Sequence, residues 1–157
     1  MGWICRVLQR MLKTNLIIRK ATSKDVEGCQ NIDSQMGFNT LQTIFDEAVK
    51  SHRLFVAIEN GSVVGYLRYG YIWDGEVAYI QMIRVHKTHQ KKGVGRELVQ
   101  TLERNLKETN VFLVLSSTDE SNKNSYKFHI ALGFQACGQL AINKDQQQEI
   151  FFKKKLS

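Results

Sequence analysis

The octapeptide His89-Gln90-Lys91-Lys92-Gly93-Val94-Gly95-Arg96 concentrates residue types suited to holding a phosphorylated ligand. Two glycines let the backbone come close to a bound group, and basic side chains flank them on both sides. Beyond Gly93, Val94, Leu98, Val99, Leu102 and Leu106 recur on one face, while Arg96, Glu97, Gln100, Glu103, Arg104 and Lys107 take the other. That period marks an amphipathic helix of about four turns. The glycines therefore stand at a helix N-terminus, where unpaired N–H groups and the positive end of the dipole favour an anion. The spacing differs from a dinucleotide fingerprint, whose third glycine is here Leu98, and from a Walker loop, which needs Gly-Lys-Ser/Thr. Taken alone, the segment fits two readings: a pyrophosphate cradle, or a glycine-softened turn with a solvated basic rim.

The elements that must position this segment can be read on both sides of it. Residues 16–20 form a first strand, and Thr22 with Asp25 makes a capping box before a helix carrying Val26, Cys29, Ile32 and Met36. Gly37 stops that helix, and Asn39 or Thr40 can cap a second one bearing Leu41, Ile44, Phe45 and Val49. Strands at 54–58 and 63–72 flank Asn60-Gly61, a strong hairpin signal, and Asp74-Gly75 returns the chain into a strand at 77–85. After the long helix, the apolar run 111–115 reads as a strand buried on both faces. A helix over 122–132 ends at Gly133, and strands at 135–142 and 149–155 close the chain. The order β-α-α-β-β-β-α-β-α-β-β implies a mixed sheet with an antiparallel start and a parallel crossover.

Composition narrows the partners. The 157 residues are 43% hydrophobic and 10% aromatic, enough for one globular core. No apolar run approaches the ~18 residues of a membrane span. Net charge is +7, with a pI near 9.4, which favours polyanionic partners. Arg84, Lys87, Lys91, Lys92 and Arg96 cluster without an intervening acid, and Lys153-Lys154-Lys155 reads as a solvated strand end. Cys5, Cys29 and Cys137 are odd in number and far apart, so neither a disulfide framework nor a structural metal is expected, and a reducing cytoplasm fits. Proline is absent, leaving turns to Gly, Asn and Asp. Residues 1–13 read as an N-terminal extension with a short surface helix, and 14–157 as a single domain. The first ten residues lack signal-peptide features, Met-Gly without Ser/Thr at position 6 argues weakly for myristoylation, and Met11 is an alternative start.

Two blocks together carry a resemblance. Ile83-Arg84-Val85 followed by Gln90-Lys91-Lys92-Gly93-Val94-Gly95 resembles the Q/R-x-x-G-x-G/A core of the GNAT superfamily of N-acetyltransferases. Asn122-x-x-Ser125-x-x-Phe128-His129-x-x-Leu132-Gly133-Phe134 resembles that family's second helix motif, and Ile18-Arg19-Lys20-Ala21-Thr22-x-x-Asp25 its first strand and helix start. The likeness covers roughly residues 14–156. It implies an α/β fold of GNAT type: a mixed, mostly antiparallel sheet of six to seven strands, a central parallel pair splayed by a bulge, and about four helices. It also implies acetyl-CoA as cosubstrate and an amine as acceptor.

By that resemblance Ile83, Arg84 and Val85 pair through their backbone with the pantetheine arm. Gln90, Lys91, Lys92, Gly93, Val94, Gly95 and Arg96 surround the phosphates, and Asn122, Ser125 and Phe128 stand near the pantetheine. The chain departs from the pattern at His129, where the family places tyrosine; an imidazolium can still protonate a leaving thiolate, or the ring can simply pack under the sheet. Tyr126 is a substitute donor, and solvent can also protonate a thiolate of pKa ~8.5. Strand alternation puts Tyr79 on a face with Gln81, Ile83 and Val85, where Tyr79 can orient a water acting as base. Glu76 and Asp74 can attract a cationic amine, Ser116, Ser117 and Thr118 can line a water path, and His86 and His89 can contact phosphates. Trp73, beside the Asp74-Gly75 turn, is assigned to core or edge packing, with a place over the acceptor cleft as an alternative, and Cys137 to a buried position. Acceptor specificity falls on 30–50 and 142–149. A non-catalytic CoA-binding module is the rival reading, and a homodimer is left open. A nucleic-acid binder is disfavoured because Phe55, Tyr66 and Phe112 lie in apolar runs rather than among the basic residues.

Overall fold

A computed structural model describes residues 15–142 and 147–156. The extension expected over 1–13, with its surface helix and Cys5, lies outside them, as does half of the acceptor loop assigned to 142–149. The chain begins with β1 (Ile17–Lys20), a 3-10 turn (Ser23–Asp25), α1 (Val26–Gln35) and α2 (Gln42–Lys50). It continues through β2 (Leu54–Glu59), β3 (Ser62–Ile72), β4 (Val77–Val85) and α3 (Val94–Leu106). It ends with β5 (Leu113–Asp119), α4 (Lys123–Ala131), β6 (Gln135–Ala141) and β7 (Gln148–Lys155). The strands form one seven-stranded sheet in the order β1-β2-β3-β4-β5-β7-β6. Only β4 and β5 run parallel among these neighbours, as a crossover through α3 requires.

Local chemistry accounts for the element ends. The Thr22 N–H donates to the Asp25 carboxylate at 2.7 Å, and the Arg19 guanidinium beside that carboxylate holds its pKa down to about 2. Gly37 and Gly133 both adopt positive φ where α1 and α4 stop. Asn60 and Gly61, at φ 50° and 80°, make the tight β2–β3 turn. Helix α2 starts later than its candidate caps suggested: Leu41 occupies the N-cap, and no side chain there, neither Asn39 nor Thr40, bonds to the first turn.

Each sheet face carries its own core. On one, α3 covers β2, β3 and β4 with Val94, Leu98, Val99, Leu102 and Leu106, all buried, and α4 adds Phe128 beside Phe134 and Phe152. On the other, Val26, Cys29 and Ile32 of α1 and Phe45 of α2 pack over Leu54, Val56 and Tyr66. Within that second core Arg84 Nη1 meets Asp33 Oδ1 at 2.6 Å, and the Tyr66 hydroxyl donates to the same oxygen at 2.5 Å. The Arg84 guanidinium also lies 3.7 Å from the Phe38 ring centroid, clamping the α1–α2 loop to β4.

Two strand expectations need correction. The run 111–115 is not buried on both faces: β5 begins at Leu113, extends to Asp119 and alternates, with Val114, Ser116 and Thr118 buried while Phe112 stays exposed. Cys137 is exposed, because β6 is an edge strand with every residue open to solvent. The Asp33–Arg84 pair gives a stability prediction. Arg84→Met should destabilise the fold by about 3–5 kcal/mol, since it leaves the buried Asp33 carboxylate with the Tyr66 hydroxyl but no counter-charge. Urea unfolding checks this, and the double variant D33N/R84M should recover part of the loss.

Candidate functional site

The parallel β4–β5 ladder is only three pairs long, Val77↔Leu113, Ala78↔Val114 and Tyr79↔Leu115. Past Tyr79 the two strands part, although β4 runs on to Val85 and β5 to Asp119. The cause is visible in the next register: β3 Arg68 faces Met82 while Tyr69 faces Ile80, so Gln81 is an unmatched extra residue. This bulge also corrects the expected alternation. Ile83 and Val85 pack on the α3 face with Ala78 and Ile80, whereas Met82 packs on the α1–α2 face. Tyr79 therefore does not share a face with Ile83.

A groove of about 810 Å³ opens at this parting. Ile83, Arg84 and Val85 supply one wall, and Asn122, Ser125 and Phe128 the facing one. Gln90, Lys91, Gly93, Gly95 and Arg96 close its end. Met36 also lines it, so the opening reaches from the α3–α4 side to the α1–α2 side of the sheet. Gly93 sits at the N-cap of α3 with φ 88°, and no side chain caps the helix. The first amides of α3 are thus left for a ligand or water. A Cβ on Gly95 would fall 3.1 Å from the Phe128 ring, so glycine allows α3 and α4 to close on each other at the groove wall. Beyond these residues, sequence reasoning missed Asn124 and Lys127, which line the same wall. Their one available signal was helical spacing from Asn122.

Some expected site residues lie outside the groove lining, and others have a second partner. The Arg84 side chain belongs to the Asp33 pair, leaving only its backbone for the groove. Val94 is core, buried under α3, and Lys92 is exposed outside the lining. The Gln90 side chain donates to the Val85 carbonyl at 3.1 Å, stapling the loop to β4. His89 lines the groove and meets Glu59 Oε2 through Nε2 at 2.8 Å. Trp73 stands exposed at the hairpin tip. Phe55 and Tyr66 are buried and offer no stacking platform for bases.

His129 is 3% exposed and lies under the sheet, stacked on Phe152 with ring centroids 4.4 Å apart. Its Nδ1 is 2.7 Å from the Ser125 carbonyl, which can only accept, so Nδ1 carries the proton. Its Nε2, 2.8 Å from Ser116 Oγ, then accepts from that hydroxyl. Burial lowers the pKa of the ring, only partly offset by the Ser125 carbonyl. A neutral imidazole with both nitrogens engaged is no longer a proton donor to the groove. The Tyr126 ring packs edge-on to Phe152 and also lies outside the groove lining. Tyr79, by contrast, reaches β5: its hydroxyl and Ser117 Oγ are 2.8 Å apart just beyond the last β4–β5 pair.

Comparisons with known proteins identify the family to which this sheet and groove belong. Residues 23–134 match the Acetyltransferase (GNAT) family. The chain belongs to that family. Over 90 residues, 55% of this chain, it is 30% identical to an L-methionine sulfoximine/L-methionine sulfone acetyltransferase of Salmonella typhimurium. That stretch is 53% of the relative, so the chain spans about half the length of the curated relatives it matches. Among solved structures, Ard1 from Thermoplasma volcanium covers 90% of this chain and 98% of its own at TM-score 0.82 and 20% identity. The yncA protein of Salmonella typhimurium, solved with its cofactor acetyl-CoA, covers 90% of this chain and 94% of its own at TM-score 0.78 and 21% identity. The seven-stranded mixed sheet with its splayed parallel pair is the GNAT fold.

The His129 geometry fixes a sign for acid sensitivity. Its folded pKa lies below the ordinary 6.5, so above that value both states are neutral there and no penalty exists. As pH falls from 6.5 towards the folded value, only the unfolded chain gains the proton, and stability drops. Urea midpoints between pH 7.5 and 5.5 should fall more steeply for the native chain than for His129→Phe.

Proposed function

We propose that the protein moves the acetyl group of acetyl-CoA to a primary amine by direct attack of the neutral amine on the thioester. One observation carries the reading. The groove joins an uncapped helix N-terminus to a strand edge left unpaired by the β4–β5 parting. Acetyl-CoA supplies an activated acyl group with a thiolate leaving group. Amides from Gln90 through Gly95 face its diphosphate, and Lys91, Arg96 and Lys127 offset phosphate charge. Backbone groups of Ile83, Arg84 and Val85 pair with the pantetheine arm, opposite Asn122, Ser125 and Phe128.

Tyr79 and Ser117 form the polar pair where the strands part, and can orient a water that takes the amine proton. With His129 withdrawn, protonation of a thiolate of pKa ~8.5 falls to solvent. Amino-acid-like amines come first as acceptors, by likeness to the methionine sulfone acetyltransferase. We assign the protein to the cytoplasm on its scattered cysteines; no helix among the described residues is long and apolar enough to cross a membrane. One observation favours the rival, a CoA-binding module without catalysis: none of His129, Tyr126 and Tyr79 lines the groove.

The test follows free thiol with acetyl-CoA and an amine panel, alongside thermal melting with CoA. Turnover supports the transferase; a CoA-induced melting shift without turnover supports the rival; neither response ends both. Gly93→Val should weaken acetyl-CoA binding about tenfold by straining the positive-φ N-cap. Tyr79→Phe should lower kcat by roughly tenfold with the KM for acetyl-CoA unchanged.

A further inference from the structure

A second cavity, about 530 Å³, lies on the α1–α2 face between α2 and the strands β3 and β4. Arg53, Arg68, Gln81 and Glu47 give it its polar character, with Thr43 and Ser51 at its α2 side. Its position follows from the bulge. Gln81, the unmatched residue of β4, lies flat against β3 because residue 70 is glycine; a Cβ there would fall 2.9 Å from Gln81 Nε2. In that pose Gln81 Oε1 accepts from Arg68 Nη1 at 2.9 Å. The residue that opens the sheet thus holds a guanidinium beside the opening.

That guanidinium lacks an anion. Among the described residues no carboxylate lies within 4.0 Å of Arg53 or Arg68, whereas Arg19 and Arg84 both have one. Burial lowers the pKa of Arg68, Tyr66 opposes that, and the Arg84 charge adds to the lowering while its partner Asp33 opposes it. Two guanidiniums against the single Glu47 leave the cavity net positive. Planar N–H forks of this kind match a carboxylate. Tyr79 stands on the same sheet face as Arg68, one strand over and opposite Gly70, two residues further along β3, a diagonal of roughly 8 Å, and it meets Ser117 on the strand beyond.

We infer that this cavity receives the acceptor, and that Arg53 and Arg68 bind a carboxylate carried by the same molecule as the reacting amine. The inference rests on the acetyltransferase reading and narrows its amino-acid-like acceptors to those with a free carboxylate, assigning two specificity residues to that group. Glu47 faces the cationic form of the amine before its proton is lost.

The test compares L-amino acids with their amides, paired by side chain, and ω-amino acids of increasing length, as acceptors for the native chain, Arg68→Gln, Arg53→Gln and Arg68→Lys. The expected result is a preference for the free carboxylate. Each Gln variant should lose roughly ten- to hundredfold in kcat/KM, through KM, on carboxylate acceptors only. Lysine should restore part of it, and the KM for acetyl-CoA should stay fixed. Equal rates on acids and amides, or equal losses on both in the variants, overturn the inference while leaving the transferase intact. Calorimetry with the same acceptors in the presence of CoA separates the two failures. Carboxylate-dependent binding that is lost in R68Q, without turnover, sustains the cavity assignment and sinks the chemistry; absence of such binding overturns the assignment.

Discussion

The structure depends on a pairing that stops. A central parallel strand normally satisfies its backbone on both edges, because buried N–H and C=O groups without partners are costly. Here β4 keeps β3 along its whole length but loses β5 after Tyr79. The strands are kept apart from both faces. On one, Arg84 is anchored to Asp33 and covered by Phe38; on the other, α3 and α4 meet through Gly95 and Phe128. The bulge at Gln81 changes the phase of β4 so that each half of the strand suits its own surroundings. The groove is therefore a property of the sheet, and its loops only decorate the ends.

Most of the fold was legible because its signals were local. The capping box at Thr22, the Asn60-Gly61 turn and the apolar stripe of α3 each name their own structure within a few residues, and all three stand as read. The element order likewise needed only the alternation of periods. What failed was non-local. Cys137 looks like a core residue until the sheet order makes β6 an edge, and 111–115 looks doubly buried until its neighbours are known.

The site was legible in the same measure. The glycine-rich loop lines the groove because backbone shape is written in glycine spacing. Side-chain roles were harder. The Arg84 side chain reads as one more member of a basic cluster, yet its partner Asp33 is distant in sequence and invisible without the fold. Strand alternation misplaced Tyr79 relative to Ile83, because a one-residue bulge leaves no mark in composition. Lys127 and Asn124 were passed over since a polar helix residue reads the same whether it faces solvent or a groove.

Replacing the family's tyrosine by His129 has a consequence for how such an enzyme answers acidity. Both ring nitrogens are committed to Ser116 and Ser125 inside the core. Position 129 then holds no proton in reserve for the groove. The enzyme's rate profile would be inherited from its guest: the fraction of acceptor nitrogen that is free of a proton, rather than any side chain, would set where the catalyst switches on.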